Sequence, residues 1–191
     1  MNDIFIHPTA IVENGAVIGT GTRIWAHVHI RPGVRIGDHC NIGDGVFVED
    51  EAVVGSRVTI KNQAVIWKGV TIEDDCFIGP GVMFTNDLLP RSPRMPEAVA
   101  RYARESHWLC KTLVKQGAAI GAGAIVLSNL EIGEYAMIGA GALVTRPVPR
   151  HALFAGNPAR FKAWICRCGQ KLDRKNFCTA CQKTVQLQDA K

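Results

Sequence analysis

The most telling absences in this chain are long apolar runs and familiar catalytic fingerprints. No stretch approaches the roughly 18 apolar residues of a membrane-spanning helix, so a helical membrane protein is excluded. Met1-Asn2-Asp3 offers neither a basic segment nor an apolar core, so no secretory signal is expected, and the chain is expected to be cytoplasmic. No serine elbow, phosphate-binding loop or dinucleotide-binding glycine pattern is present, which leaves hydrolase and nucleotide-redox readings without support. Charged residues make up only 20% and apolar residues 47% of the 191 positions, a balance that excludes global disorder.

Charge is also scarce where most of the chain lies. The first 158 residues are nearly neutral, at −1, whereas residues 159–191 carry +6 from Arg160, Lys162, Arg167, Lys171, Arg174, Lys175, Lys183 and Lys191 against Asp173 and Asp189. The cysteines divide in the same way. Cys40, Cys76 and Cys110 are scattered, and Cys166, Cys168, Cys178 and Cys181 are grouped. Two segments are expected: 1–158, and a basic tail over 159–191.

What fills the first segment is a repeat. Every sixth residue from Ile6 to Phe84, and again in the same phase from Val114 to Val144, is isoleucine or valine, with Phe84 the one exception. Glycine follows eight of them, at Gly19, Gly37, Gly43, Gly55, Gly79, Gly121, Gly133 and Gly139. A helix repeats near 3.6 residues and cannot use a period of six. Very short strands joined by tight turns can, three strands making a triangular coil of about 18 residues that rises one strand spacing, roughly 4.8 Å. Beta-branched residues suit the strands and glycine suits the corners. The fold class predicted is all-β, a parallel β-helix. Cys40 and Cys76, 36 residues apart on an inward position, are read as small core residues.

The repeat breaks over 85–113, a proline-spaced loop followed by a short helix predicted from Pro96 to about Ser106. Because the phase resumes, this excursion must leave the stack and return to it; one of this size is expected to wall a substrate site. The 18-residue arithmetic also stacks outward side chains. Arg31, Glu49, Trp67 and Thr85 form one column, Asp50, Lys68 and Asn86 its neighbour, and His29 heads a third; together they describe a polar cleft or a subunit interface.

Cys166-x-Cys168 and Cys178-x-x-Cys181 make two knuckles within 16 residues, with Phe177 beside the second, which predicts a structural Zn²⁺ ribbon. A closed four-thiolate site leaves no position for catalysis. The tail has one clear aromatic and no reading helix, so nucleic acid is not an expected partner. None of the six histidines forms the inter-coil trio that a zinc carbonic anhydrase of such a fold requires.

The repeat resembles that of the hexapeptide-repeat acyltransferases, and from this resemblance comes the expectation of a left-handed helix. Further stretches are similar to bacterial N-acetyltransferases of nucleotide-linked 3-amino sugars. These are Trp25 with Val28-His29-Ile30, Phe84-Thr85-Asn86 with Pro90-Arg91-Ser92, Thr112-Leu113-Val114-Lys115, and Gly156-Asn157-Pro158-Ala159-Arg160. The resemblance implies a homotrimer with active sites between subunits. It implies acetyl-CoA as co-substrate and a nucleotide-linked amino sugar as acceptor, in surface-polysaccharide (lipopolysaccharide, O-antigen) biosynthesis. Asn86 would then bind the sugar near its amine. His29 would handle the proton or position substrate, unless it is a surface histidine and the CoA thiolate takes the proton. Arg31, Glu49, Lys61, Trp67, Thr85 and Arg91 are the candidate sugar-binding residues. Ala122, Gly123 and Ala140 would hold the pantetheine arm, with Lys115 and Arg160 near the CoA phosphates. An O-acetyltransferase and a β-helical scaffold are the alternatives.

Overall fold

The computed structural model describes residues 3–187; the extreme ends of the two predicted segments, residues 1–2 and 188–191, lie outside the described residues. Strands of mostly two residues stack into three parallel sheets, the faces of a triangular prism. The first face runs from Phe5–Ile6 through Arg23–Ile24, Asn41–Ile42, Thr59–Ile60, Phe77–Ile78, Ala119–Ile120 and Met137–Ile138 to Ala152–Ala155. The second includes His29–Ile30, Phe47–Val48, Val65–Ile66, Met83–Phe84 and Ile125–Val126; the third includes Arg35–Ile36, Val70–Ile72 and Thr112–Val114. Pairing is in register at 18 residues, as in Arg23↔Asn41 and His29↔Phe47. The predicted parallel β-helix is the observed architecture.

The repeat residues fill the prism. From Ile24 to Val144 each of them is essentially inaccessible, as are the inward residues two places before them, such as Val28, Val34, Ala64 and Val82. Ile6, by contrast, is 44% exposed, because among the described residues no coil lies beneath its own. Cys40 and Cys76 sit in this interior, their thiols donating to the carbonyls of Gly55 (3.0 Å) and Lys115 (3.1 Å). Burial raises both thiols, Cys76 to about 12, so neither offers a thiolate near neutral pH.

Glycine's role at the corners differs from the expectation. The glycines that follow the repeat residues do not adopt left-handed backbone; they are required because the next coil lies against them. A Cβ on Gly79 would stand 2.7 Å from the Ala122 nitrogen, and one on Gly121 would stand 2.5 Å from the Ala140 nitrogen. The left-handed residue of each turn comes two places later, and it is often not glycine: His27, His39, Arg57, Gln63 and Asn129 all have φ between 55° and 62°. Main-chain hydrogen bonds to the preceding coil hold these turns, as when Gln63 N–H donates to the Asp44 carbonyl (2.9 Å).

The excursion leaves after Phe84 and rejoins at Thr112, where Val70↔Thr112 and Ile72↔Val114 restore the stack. Its helix is shorter than predicted, Val99–Tyr102 with a 3₁₀ turn at Glu105–His107, and Pro96 precedes it rather than opening it. At its far end the prism is closed by Arg160–Trp164, which pairs antiparallel with Ala152–Ala155. A hairpin of Phe177–Cys178 with Lys183–Thr184 follows.

The two kinds of glycine should respond differently to substitution. Gly121→Ala drives a Cβ into the neighbouring backbone and should cost at least the ~1–3 kcal/mol of an overpacked core. Gly123→Asn meets open space at a left-handed position that asparagine tolerates, and should cost about 1 kcal/mol or less. Thermal unfolding of the two variants tests this; equal destabilisation would refute the close-approach account.

Candidate active site

The edge between the second and third faces gathers most of the polar residues singled out from the sequence. One coil below Arg31, the same column holds Glu13. Its Oε1 meets His29 Nε2 at 2.6 Å and Arg31 at 3.1 Å, and Arg31 also donates to Asp50 (2.9 Å). A carboxylate accepts only, so His29 donates from Nε2 and leaves Nδ1 free as an acceptor. Phe47 packs edge-on to both His29 (5.5 Å) and Trp67 (5.7 Å), a short aromatic wall along the edge. On the next coils Glu49 accepts the Lys68 main-chain N–H (2.9 Å) and faces the Asn86 amide nitrogen (3.4 Å). Thr85 accepts the Ser128 N–H (3.0 Å). His29 and Arg31, then Glu49, then Trp67, then Thr85 and Asn86 thus occupy four successive coils of one edge, with His29 three coils from Asn86, roughly 14 Å along the prism.

The excursion is tied down beside them. Asn86 accepts the Cys110 N–H at 2.9 Å, closing its root, and Gly69 leaves room for that return, since a Cβ there would lie 2.6 Å from the Cys110 carbonyl. Asp87 is the anchor within. It receives the Arg101 guanidinium on both oxygens and the Tyr102 hydroxyl at 2.7 Å, and Tyr102 in turn accepts the Arg91 N–H at 2.9 Å. Arg101 therefore has a structural partner, whereas the Arg91 side chain is exposed and, among the described residues, reaches only the Pro90 carbonyl (2.8 Å). Lys68 bridges to Glu105 at 2.8 Å and pins the 3₁₀ turn to the prism.

The other predicted residues lie elsewhere. Lys61, Ala122, Gly123 and Ala140 occupy the edge between the first and second faces, and Lys115 the remaining edge, 3.5 Å from Glu131. Arg160 is exposed on the closing strand. On the Ala122 edge Gly81, Gly123 and Gly141 are stacked left-handed residues with nothing within 4 Å of where a Cβ would stand. The result is a strip of exposed main chain with no side chains over it, along which an extended, slender ligand such as a pantetheine arm can lie. The four cysteines of the tail converge, with all sulfurs within 4.8 Å of one another and Cys168 and Cys178 at 3.6 Å. A tetrahedral site with ~2.3 Å metal–sulfur bonds needs sulfurs about 3.8 Å apart, so this donor set fits a Zn²⁺ ion.

Two residues escaped the sequence reading. Glu13 was accessible to it, since subtracting one coil from Arg31 lands there. Asp87 carried no signal, because its partners lie inside the aperiodic excursion.

A triangular prism of short parallel strands on a six-residue repeat is the architecture of the hexapeptide-repeat class. The family profile described as "Bacterial transferase hexapeptide (six repeats)" matches residues 15–50 and 51–86. The chain is 53% identical over 178 residues to dTDP-3-amino-3,6-dideoxy-alpha-D-galactopyranose 3-N-acetyltransferase of Aneurinibacillus thermoaerophilus, an alignment covering 93% of this chain and 87% of that one. The chain belongs to this family of hexapeptide-repeat acetyltransferases and is an enzyme. Among solved structures it is similar to PerB from Caulobacter crescentus, in complex with CoA and GDP-perosamine, with TM-score 0.52 and 24% identity over 84% of this chain. The chain spans 57% of the length of PerB. It is also similar to the Vibrio cholerae hexapeptide-repeat acetyltransferase VCA0836, complexed with acetyl coenzyme A, with TM-score 0.55 and 21% identity over 70% of this chain and 72% of that one. Both likenesses concern the fold.

Asp87→Asn should loosen the excursion without unfolding the prism. Its carboxyl is held at about 2, chiefly by the Arg101 guanidinium. That contribution is complete above the unfolded value of about 4 and fades as pH falls towards about 2. Amide hydrogen exchange over 88–107 should be faster in the variant at pH 7, and the wild type should approach it only in acid. Identical exchange at pH 7 would remove Asp87 as the anchor.

Proposed function

We propose that this enzyme transfers an acetyl group from acetyl-CoA to the amine of a nucleotide-linked amino sugar, a 3-amino sugar, in cytoplasmic surface-polysaccharide biosynthesis. The observation that carries this is the identity with the Aneurinibacillus 3-N-acetyltransferase across nearly the whole chain. It is supported by the presence, on one edge, of the polar set that such chemistry needs. The acceptor nitrogen attacks as a neutral amine: a C–N bond forms to the thioester carbonyl, the C–S bond breaks, and the thiolate departs. Negative charge on the carbonyl oxygen is met by main-chain N–H groups. Asn86 binds the sugar beside its amine, Glu49, Trp67 and Thr85 shape the subsite, and Arg91 reaches its charged portion. The CoA thiolate takes the ammonium proton, because His29, fixed through Nε2 by Glu13, stands three coils from Asn86, roughly 14 Å along the prism, and is left to position a more distant part of the substrate. Lys115 and Arg160 are assigned to CoA phosphates, and Ala122, Gly123 and Ala140 to its pantetheine arm.

Acceptor and acyl-carrier residues stand on different edges of one prism. A homotrimer brings the edge of one subunit against a different edge of the next, and this supports a site between subunits in which Lys61 also takes part. Residues 1–158 form the catalytic unit in this reading and 159–191 a zinc-bound cap. Zn²⁺ on Cys166, Cys168, Cys178 and Cys181 supplies cross-linking of a short tail and no chemistry on substrate.

CoA-thiol release should be seen with one of a panel of UDP- and dTDP-linked 3-amino sugars and not with hydroxyl-only counterparts. Release with the hydroxyl sugars alone would make it an O-acetyltransferase. Failure to bind acetyl-CoA at all would favour a scaffold. Asn86→Ala should lower kcat/KM by about 10²-fold, the scale of a lost transition-state contact, with the oligomer intact; unchanged kinetics would place the acceptor elsewhere.

Metal analysis of the purified protein should find one zinc per chain. Replacing Cys178 and Cys181 with serine should release it and speed proteolysis of the tail. Protein without metal at that stoichiometry would end the ribbon assignment.

A further inference from the structure

We infer that Glu49 is a positioning residue that sets the polarity of Asn86, so that Asn86 presents its carbonyl oxygen, and not its NH₂, to the acceptor amine. This rests on the reading above for the identity of the acceptor, and on geometry for the rest. Glu49 Oε2 lies 3.4 Å from one end of the Asn86 amide and 2.9 Å from the Lys68 main-chain nitrogen. The two ends of an amide are hard to tell apart by shape, yet a carboxylate is an acceptor only. The end facing it must be the nitrogen, because the opposite orientation sets two oxygens against each other. The Asn86 main chain has no freedom to respond, since its carbonyl holds the Cys110 N–H where the excursion closes. Oδ1 is thereby left as the free end, beside a carboxylate. An acceptor there holds one N–H of an amine and leaves the nitrogen lone pair free to attack. A donor there would occupy that lone pair.

Both contacts fall on one oxygen, so the near-isosteric change should be the milder. In Glu49→Gln the amide oxygen keeps the place of Oε2, accepts the Lys68 N–H and still faces the Asn86 NH₂, and kcat/KM for the amino sugar should stay within about 5-fold of wild type. In Glu49→Ala no acceptor remains, Asn86 is unlocked, and kcat/KM should fall about 50-fold, in the range of one hydrogen bond to a charged group. Asn86→Asp sets two carboxylates together and should also be impaired.

The experiment is steady-state kinetics of these three variants with the best amino sugar of the panel, alongside acetyl-CoA affinity and melting temperature as controls for folding. Glu49→Ala no worse than Glu49→Gln overturns the inference. Wild-type inactivity towards every amino sugar would instead overturn the proposed function. The orientation itself is then read from the Asn86 side-chain NH₂ signals by NMR, identified by their loss in Asn86→Asp. Protection from solvent exchange that survives in Glu49→Gln and disappears in Glu49→Ala supports the lock, and unprotected signals in the wild type refute it.

Discussion

Each coil of this protein hangs on the next by main-chain hydrogen bonds from the N–H of one residue to a carbonyl 17 places on, as from Gly19 to Ile36, Gly37 to Val54 and Gly55 to Ile72. Strands of two residues cannot hold together otherwise, since neither their length nor their side chains give a lone coil an interior. The ladder demands that every coil have the same shape. From that demand follow the beta-branched stack within, the left-handed turn residue in each corner, and the glycines where consecutive backbones come too close for a side chain. Insertions are admitted only where they start and finish at the same corner, as the excursion does between Phe84 and Thr112.

That same demand explains what could be read from the sequence. A constraint repeated at every sixth residue writes itself into composition, so the prism, its interior and the stacking of His29, Arg31, Glu49, Trp67, Thr85 and Asn86 were all legible by counting. The reason for the glycines was not, because a period marks where glycine recurs without saying whether torsion or proximity requires it. Arg57 and Tyr135 show that the torsion alone does not: both are left-handed with full side chains. Within the excursion the period is silent. The short helix and the Asp87–Arg101–Tyr102 anchor depend on a single set of contacts, and nothing in the chain repeats to announce them.

The prism also limits where chemistry can happen. Its interior is filled by aliphatic side chains, and the thiols of Cys40 and Cys76 are sealed in it as neutral groups. Reactive and binding groups are therefore confined to edges, and an edge is convex. A concave site needs a second wall. The excursion supplies one beside Asn86, and an adjoining subunit, in the proposed trimer, supplies the other. The exposed main-chain strip at Gly81, Gly123 and Gly141, on a different edge from the polar set, is the counterpart that such a neighbour would bring.

On an edge this rigid, side chains cannot adapt to a substrate by moving the backbone, so their chemical polarity must be set by neighbours one or two coils away. Glu13 sets the tautomer of His29 and Glu49 the orientation of Asn86, each through a single carboxylate oxygen that can only accept. Two carboxylates below thus leave two free acceptors, Nδ1 and Oδ1, on the coils above. The two differ in kind and lie three coils apart: imidazole Nδ1 can act as a base, whereas an amide oxygen accepts a hydrogen bond without removing the proton. Oδ1 can therefore orient an amine beside it, and the proton lost as the amide forms has to go to a base, which in the proposed reaction is the departing thiolate.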